Sequence, residues 1–341
     1  MPSTATNQQM PVKGSIKQKR GGKVQKDYTA YIMIAPFVLA FFAFGFYPLA
    51  NTFYLSVTNA TLMTPTYKLI GIKNFVSVFN DKFFIQSIFN TWKIWMLNFV
   101  PQLGIAMLLA VWMTNTRLNI KLIGFWRAIF YLPNLLMPTT VAVLFLSIFD
   151  FYGPANQLLV GNLHIVSEAI TFKINEPFMQ GTVAYIQWWM WFGNTLIILI
   201  AGMSSISDSL YEAAMVDGAN SATIFGKITL PILRPVLVYT LITSLVGGMQ
   251  MFDIPYLLGE GRGSPNGSLT TLMVFLYMKF KSSKGLIAAS SAVGVYIFII
   301  TGLVAMLVFF LLRDKDEIAM RKERKRYAKQ RANKAKGGAT R

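Results

Sequence analysis

The chain has no cysteine and a single histidine, His164, in 341 residues. Without thiols there can be no disulfide, no thiolate metal ligand and no lipid attached to cysteine. One imidazole leaves little room for zinc chemistry or a histidine general base. Charge is scarce as well, at 13% of residues against 54% hydrophobic ones. A soluble domain could not keep so much apolar surface from water with so few charges, and the mean hydropathy of +0.48 agrees. The composition therefore points to a membrane protein. A G-x-x-x-x-G-K-[ST] phosphate loop is also missing, so nucleotide chemistry of that kind is not expected in this chain.

What charge there is gathers at the ends. Six basic residues face Asp27 ahead of the first apolar run, and residues 313–341 carry 12 Lys or Arg against four acids, within a total of +18. No nucleic-acid-binding motif accompanies them, so they read as cytoplasmic tails beside anionic lipid headgroups, and no nucleic-acid partner is expected. Residues 1–29 have no apolar core, unlike a cleavable signal peptide, and read as a basic cytoplasmic arm.

Six apolar runs follow, at 30–57, 86–113, 124–149, 182–204, 234–257 and 286–312. Each is long enough to cross a hydrocarbon core of roughly 30 Å as a helix. The fold expected is all-α, with six transmembrane helices spanning 30–312, both termini in the cytoplasm and a basic tail at 313–341. Pro101, Pro133, Pro138 and Pro255 mark possible bends or ordinary helix irregularity. Orientation follows the short loops. Arg117 and Lys121 lie in the loop predicted inside, whereas Lys173 meets Asp150, Glu168 and Glu176 in the loop predicted outside. Lys279, Lys281 and Lys284 go against the rule, since they precede the last span on the predicted outside.

This topology leaves residues 205–233 in the cytoplasm. Ser207 or Ser209 can cap a helix there, and Ser209 with Glu212 has capping-box spacing. Leu210, Ala213, Ala214 and Asp217 recur on one side, and Gly218 can take the left-handed conformation that ends a helix. A second short helix fits Ser221–Thr229, after which Leu230-Pro231 and Arg234-Pro235 would turn the chain back into the membrane. By themselves these features describe a structured loop. Glu212, Ala213, Ala214, Asp217, Gly218 and Ala219, with Phe225, Ile228, Leu230, Pro231 and Pro235, resemble the "EAA" loop of the permeases of binding-protein-dependent ABC importers. Ser207 stands where many relatives have proline. Phe252 to Leu258, followed by the turn-rich Gly261 to Ser268, is similar to the carbohydrate-uptake branch, near the maltose and oligosaccharide permeases.

The resemblance implies a type I ABC importer permease in a bacterial cell membrane, paired with a second permease. Two ATP-binding subunits would sit below, and an extracellular solute-binding protein would deliver a sugar. In that family Glu212–Ala219 would dock on the ATPase. ATP and Mg would be bound by the partner, and no cofactor is expected in this chain.

Sugars are held by aromatic faces and by amide or carboxylate hydrogen bonds. The fourth span offers Gln187, Trp188, Trp189, Trp191, Phe192 and Asn194, with Trp188, Phe192 and Thr195 on one helical stripe. Gly247, Gly248 and Met251 lie at matching depth on the fifth span, with Gln250 and Asp253 nearby. Tryptophans also form interfacial belts and glycines also serve helix packing, and the cavity could lie chiefly in the partner permease. An anionic sugar is the alternative substrate. A self-sufficient transporter would need paired ionisable groups within its spans, which offer few, Lys93 lying near an edge where it can snorkel. An intramembrane enzyme would need a catalytic set that the sequence does not display.

Overall fold

A computed structural model describes residues 28–64, 66–115, 118 and 120–312. The basic tail at 313–341, residues 1–27 of the arm and Arg117 lie outside these. Regular structure among the described residues is helical apart from an isolated bridge between Thr58 and Leu69. In chain order the α-helices are α1 (Thr29–Ala40), α2 (Tyr47–Ser56), α3 (Lys73–Phe79), α4 (Lys82–Thr114), α5 (Ile123–Tyr131), α6 (Pro138–Ile148) and α7 (Pro154–Asn156). Then come α8 (Glu176–Ser204), α9 (Asp208–Val216), α10 (Ser221–Ile224), α11 (Leu230–Met249), α12 (Asp253–Leu258), α13 (Leu272–Phe280) and α14 (Ile287–Leu312).

The chain divides into two compact units at Asn51. In the first, α1 passes through a π-helical turn at Phe41–Phe46 into the start of α2. Its large apolar side chains are exposed, Phe44 by 84%. The second unit is built on α4 and α8, which pack along their length. Asp81 caps α4 by accepting from Phe83 N at 2.9 Å, and Asn175 caps α8 by accepting from Phe178 N at 2.9 Å. Both helices therefore begin several residues before the apolar runs predicted for them. Around the pair lie two buried clusters. One contains Trp95, Phe99, Ile186, Met190, Met249 and Leu272, and the other Ala106, Ala110, Leu196, Leu199, Met203 and Leu233. Small residues set the spacing, since a β-carbon on Gly193 would overlap the Phe130 carbonyl.

Among the described residues five helical stretches are long and apolar enough to span a bilayer, and a sixth only if a bent pair is taken as one. The predicted span 124–149 is that pair. It runs through α5 and a 3-10 turn at Leu132–Leu135, then bends by 85° into α6. Pro138 explains the break, because a proline pushes the residue before it out of the helical region, and Met137 sits at ψ 127°. The predicted span 234–257 is also interrupted. α11 stops at Met249, and the chain restarts at Asp253 as the short α12, packed against α6 and α8.

A second correction concerns residues 221–235. No turn occurs at Leu230-Pro231 or Arg234-Pro235, because α10, a π-helical turn at Phe225–Thr229 and α11 form one helix. Pro231 falls in the first turn of α11 and Pro235 inside it. The wider turn just before them accommodates backbone that a proline cannot complete.

Candidate functional site

Two regions carry the sequence-predicted residues, and α8 and α11 join them. The first is α9. Ser207 occupies its N-cap position with extended backbone but makes no capping bond, its Oγ pairing with Ser209 Oγ at 2.8 Å. Ser209 lies within the helix, so the Ser209–Glu212 capping box does not form. The C-terminal end follows expectation. Gly218 has φ +79°, its N–H reaches Met215 O at 3.1 Å, and Ala219 N–H reaches Ala214 O at 2.9 Å. These two bonds make a Schellman stop, which needs a left-handed residue at the glycine.

No residue of α9 is buried. Leu210, Glu212, Ala213, Asp217 and Gly218 are exposed, and Val216 is exposed by 88%. Tyr211 anchors the helix by packing against the cluster around Leu233, and its hydroxyl lies 3.3 Å from Thr229 Oγ1. On the other side only three residues separate α9 from the end of α8. Asn220 opens the next helix by accepting from Thr223 N at 2.8 Å.

The second region is a cavity of about 270 Å³ among α4, α8, α11 and the start of α12. Gln187, Thr195, Gly247, Gly248 and Met251 line it, as do Met190, Trp191, Asn194 and Ile198 of α8. Trp188 and Phe192 are not in its wall. One residue on from Gln187 and Trp191, each is turned about 100° round the helix. Trp188 packs between Tyr185 and Phe192, and Phe192 meets Phe130 edge-on at 5.8 Å. The cavity-facing aromatic of α8 is Trp191, exposed by 49%.

The adjacent glycines differ in role. A β-carbon on Gly247 would meet nothing within 4 Å, whereas one on Gly248 would overlap the Trp95 ring. Gly248 therefore lets α11 close on α4, and Gly247 opens on the cavity. Sequence reasoning missed the α4 wall. Gln102 donates to Thr195 Oγ1 at 2.7 Å and to Trp191 O at 3.2 Å. Asn98 is 7% exposed, lines the cavity and has a buried Oδ1 without a hydrogen-bond partner. Their signal was a set of amides inside an apolar run, which the stronger tryptophan cluster overshadowed. Among the described residues Asp253 is the only ionisable one lining the cavity, and no Lys or Arg reaches it. Among the described residues no group of three or more His, Cys, Asp or Glu could hold a metal.

Comparison with known proteins places this arrangement. A lactose transport system permease protein of Rhizobium radiobacter, LacF, is 30% identical over 293 residues, covering 85% of this chain and 95% of that protein. A probable ABC transporter permease protein of Bacillus subtilis, YesP, is 31% identical over 302 residues, covering 87% and 94%. The chain belongs to the ABC transporter permease family. No protein-family model matches it. The permease shares its fold with a chain of a bacterial alginate ABC transporter, solved in complex with an alginate pentasaccharide-bound periplasmic protein. The TM-score is 0.70 at 22% identity, over 85% of this chain and 96% of the other. In the permease, then, the capped exposed helix α9 stands between the two helices, α8 and α11, that wall its cavity.

Proposed function

We propose that this permease is one membrane half of an ATP-driven importer for a neutral oligosaccharide delivered by an external solute-binding protein. The observation that carries the substrate class is the cavity wall. Asn98, Gln102, Gln187, Asn194, Thr243 and Ser244 offer uncharged hydrogen-bonding groups, Trp191 and Phe252 offer rings, and among the described residues no Lys or Arg lines the cavity to hold an acidic sugar. Such walls suit a hydroxyl-rich ligand without net charge. The name of the lactose permease LacF agrees with this class.

Residues 30–312 form the transmembrane domain, with both termini in the cytoplasm and six crossings when the bent α5–α6 pair is taken as one. Residues 1–29 and 313–341 are basic cytoplasmic segments. Loop 205–233 presents α9 to an ATP-binding subunit, with Glu212, Ala213, Ala214, Asp217, Gly218 and Ala219 in the contact. ATP and Mg are bound there, and this chain performs no catalysis of its own. A push on α9 reaches α8 through residues 205–207 and α11 through the Tyr211–Thr229 contact and the unbroken helix from Ser221. Both helices wall the cavity, so docking and cargo are linked through rigid elements. A second permease covers the open side, and lipid meets the apolar faces around Leu303 and Leu307 of α14, 61% and 56% exposed.

The test is uptake by the complete complex in proteoliposomes, with Gly218→Val beside the parent chain. The variant should insert yet lose uptake and bind the ATP-binding subunit less tightly. Normal uptake by Gly218→Val would refute the coupling role. Preferential uptake of acidic over neutral oligosaccharides would refute the substrate class.

A further inference from the structure

A series of aromatic rings runs on from the α12 wall of the cavity. Phe252, which lines it, stacks on Tyr256 one turn later, with ring centroids 4.9 Å apart and planes at 20°. Tyr277 of α13 meets both rings edge-on, at 5.2 Å from each. Lys281 completes the series, with its ammonium 5.8 Å from the Tyr277 centroid and 3.4 Å from the Tyr256 hydroxyl. The three rings are half-buried and Lys281 is exposed, so the series leads from the cavity to solvent. It does so at the end of the bundle where α4 begins, because Lys279 of α13 pairs with the α4 cap Asp81 at 2.6 Å.

From this geometry we infer that Phe252, Tyr256, Tyr277 and Lys281 form a second sugar subsite, which takes the far units of a linear oligosaccharide whose first unit occupies the cavity. The inference rests on the sugar-import reading. This chain's share of the cavity, about 270 Å³, is below the usual 300–1,000 Å³ of ligand sites, which leaves the far units of a longer chain to meet neighbouring surface. The neighbouring surface has what a sugar needs. The rings cover one another in part, and the surface they leave half-buried offers apolar contact, as aromatic side chains commonly do at wet recognition sites. The Tyr256 hydroxyl and the Lys281 ammonium add polar groups at the rim. The subsite also gives a role to Lys281, whose place on the predicted outside has no topological explanation.

The test compares uptake of malto-oligosaccharides and arabino-oligosaccharides, from disaccharide to hexasaccharide, by the complete complex. Tyr256→Leu and Tyr277→Leu lie on different helices and each removes one ring. Each should lower the ratio of hexasaccharide to disaccharide uptake about tenfold, the size expected for a lost aromatic contact. Tyr256→Phe should restore that ratio. An unchanged ratio, including equal loss of both substrates, overturns the subsite and leaves a packing role. A second readout needs no variant: in the parent complex the hexasaccharide should slow nitration of Tyr256 and Tyr277 and the disaccharide should not. Equal nitration with either sugar also overturns it. If the assembled parent complex takes up none of these sugars, the import reading itself fails, an outcome distinct from an unchanged ratio.

Discussion

Alanine at Gly248 would put a β-carbon on Trp95, overlapping Cδ1 and lying 2.7 Å from Cγ and 2.9 Å from Nε1. Trp95 has little room to yield. It is 4% exposed, stacks on Phe99 at 5.2 Å with planes 7° apart, and meets Trp92 edge-on at 5.4 Å. Its Nε1 donates to Ser244 O at 3.0 Å and Oγ at 3.2 Å. Overpacking a fixed core costs about 1–3 kcal/mol. Moving the ring aside would give up a hydrogen bond of about 0.5–1.5 kcal/mol. Gly247→Ala, one residue earlier, meets nothing within 4 Å and gains about 1 kcal/mol of helix propensity. Gly248→Ala gains the same propensity, so the two substitutions should differ by the overpacking cost alone, roughly 1–3 kcal/mol. Thermal unfolding of the purified chain in nanodiscs, followed by tryptophan emission, measures the difference. Gly248→Ala should melt a few degrees below Gly247→Ala, which should melt at or above the parent. In uptake assays Gly247→Ala should be impaired despite its stability, because its methyl enters the cavity. Equal melting temperatures for the two variants would refute the assignment of Gly248 to packing and Gly247 to the cavity.

Two further outcomes follow from polar groups. Asn98→Leu removes a buried acceptor that has no partner, a group that costs about 1–3 kcal/mol when left unpaired. The variant should melt no lower than the parent while its sugar uptake falls, and a lower melting temperature with normal uptake would show that Asn98 serves structure. At the other end of α6, the Lys173 ammonium donates to Asp150 at 2.8 Å and holds its carboxyl below its ordinary pKa of 3.8, helped by the Tyr152 N–H. A lowered folded-state pKa means that the contribution is complete above the ordinary value and is lost as pH falls through the lower one. Hydrogen exchange across 150–174 should therefore quicken below about pH 3.8 in the parent. Asp150→Asn should exchange faster at neutral pH and lose that dependence.

Hydropathy located the bilayer-length helices because length and apolarity are local properties. It did not show where a helix breaks. Pro101 lies inside α4 without interrupting it, whereas Pro138 opens a new helix after an 85° bend. The same residue type gives opposite outcomes because neighbouring packing decides whether the freed backbone is satisfied. Around Gly218 the local rule sufficed, since a left-handed stop depends on one residue's sterics. Around Ser209 it failed, because the helix began at Asp208 and the spacing of the box no longer matched. In the cavity the error was angular. Gln187 and Trp188 are sequence neighbours, and which of them faces α4 is a matter of helix rotation that an aromatic-rich segment leaves ambiguous. The glycine pair was ambiguous for another reason, because its difference lies in Trp95, some 150 residues away.

One carboxylate has two tasks with a bearing on how the protein is made. Asp81 caps α4 through Oδ1 and holds Lys279 through Oδ2. In the proposed topology the α13–α14 hairpin must cross the bilayer during synthesis carrying Lys279, Lys281 and Lys284, against its own charge bias. The counter-ion for Lys279 is then already outside, because α4 is synthesised long before α13. The early helix receives the late hairpin, and a charge awkward for insertion becomes the clasp that holds the finished bundle at its outer end.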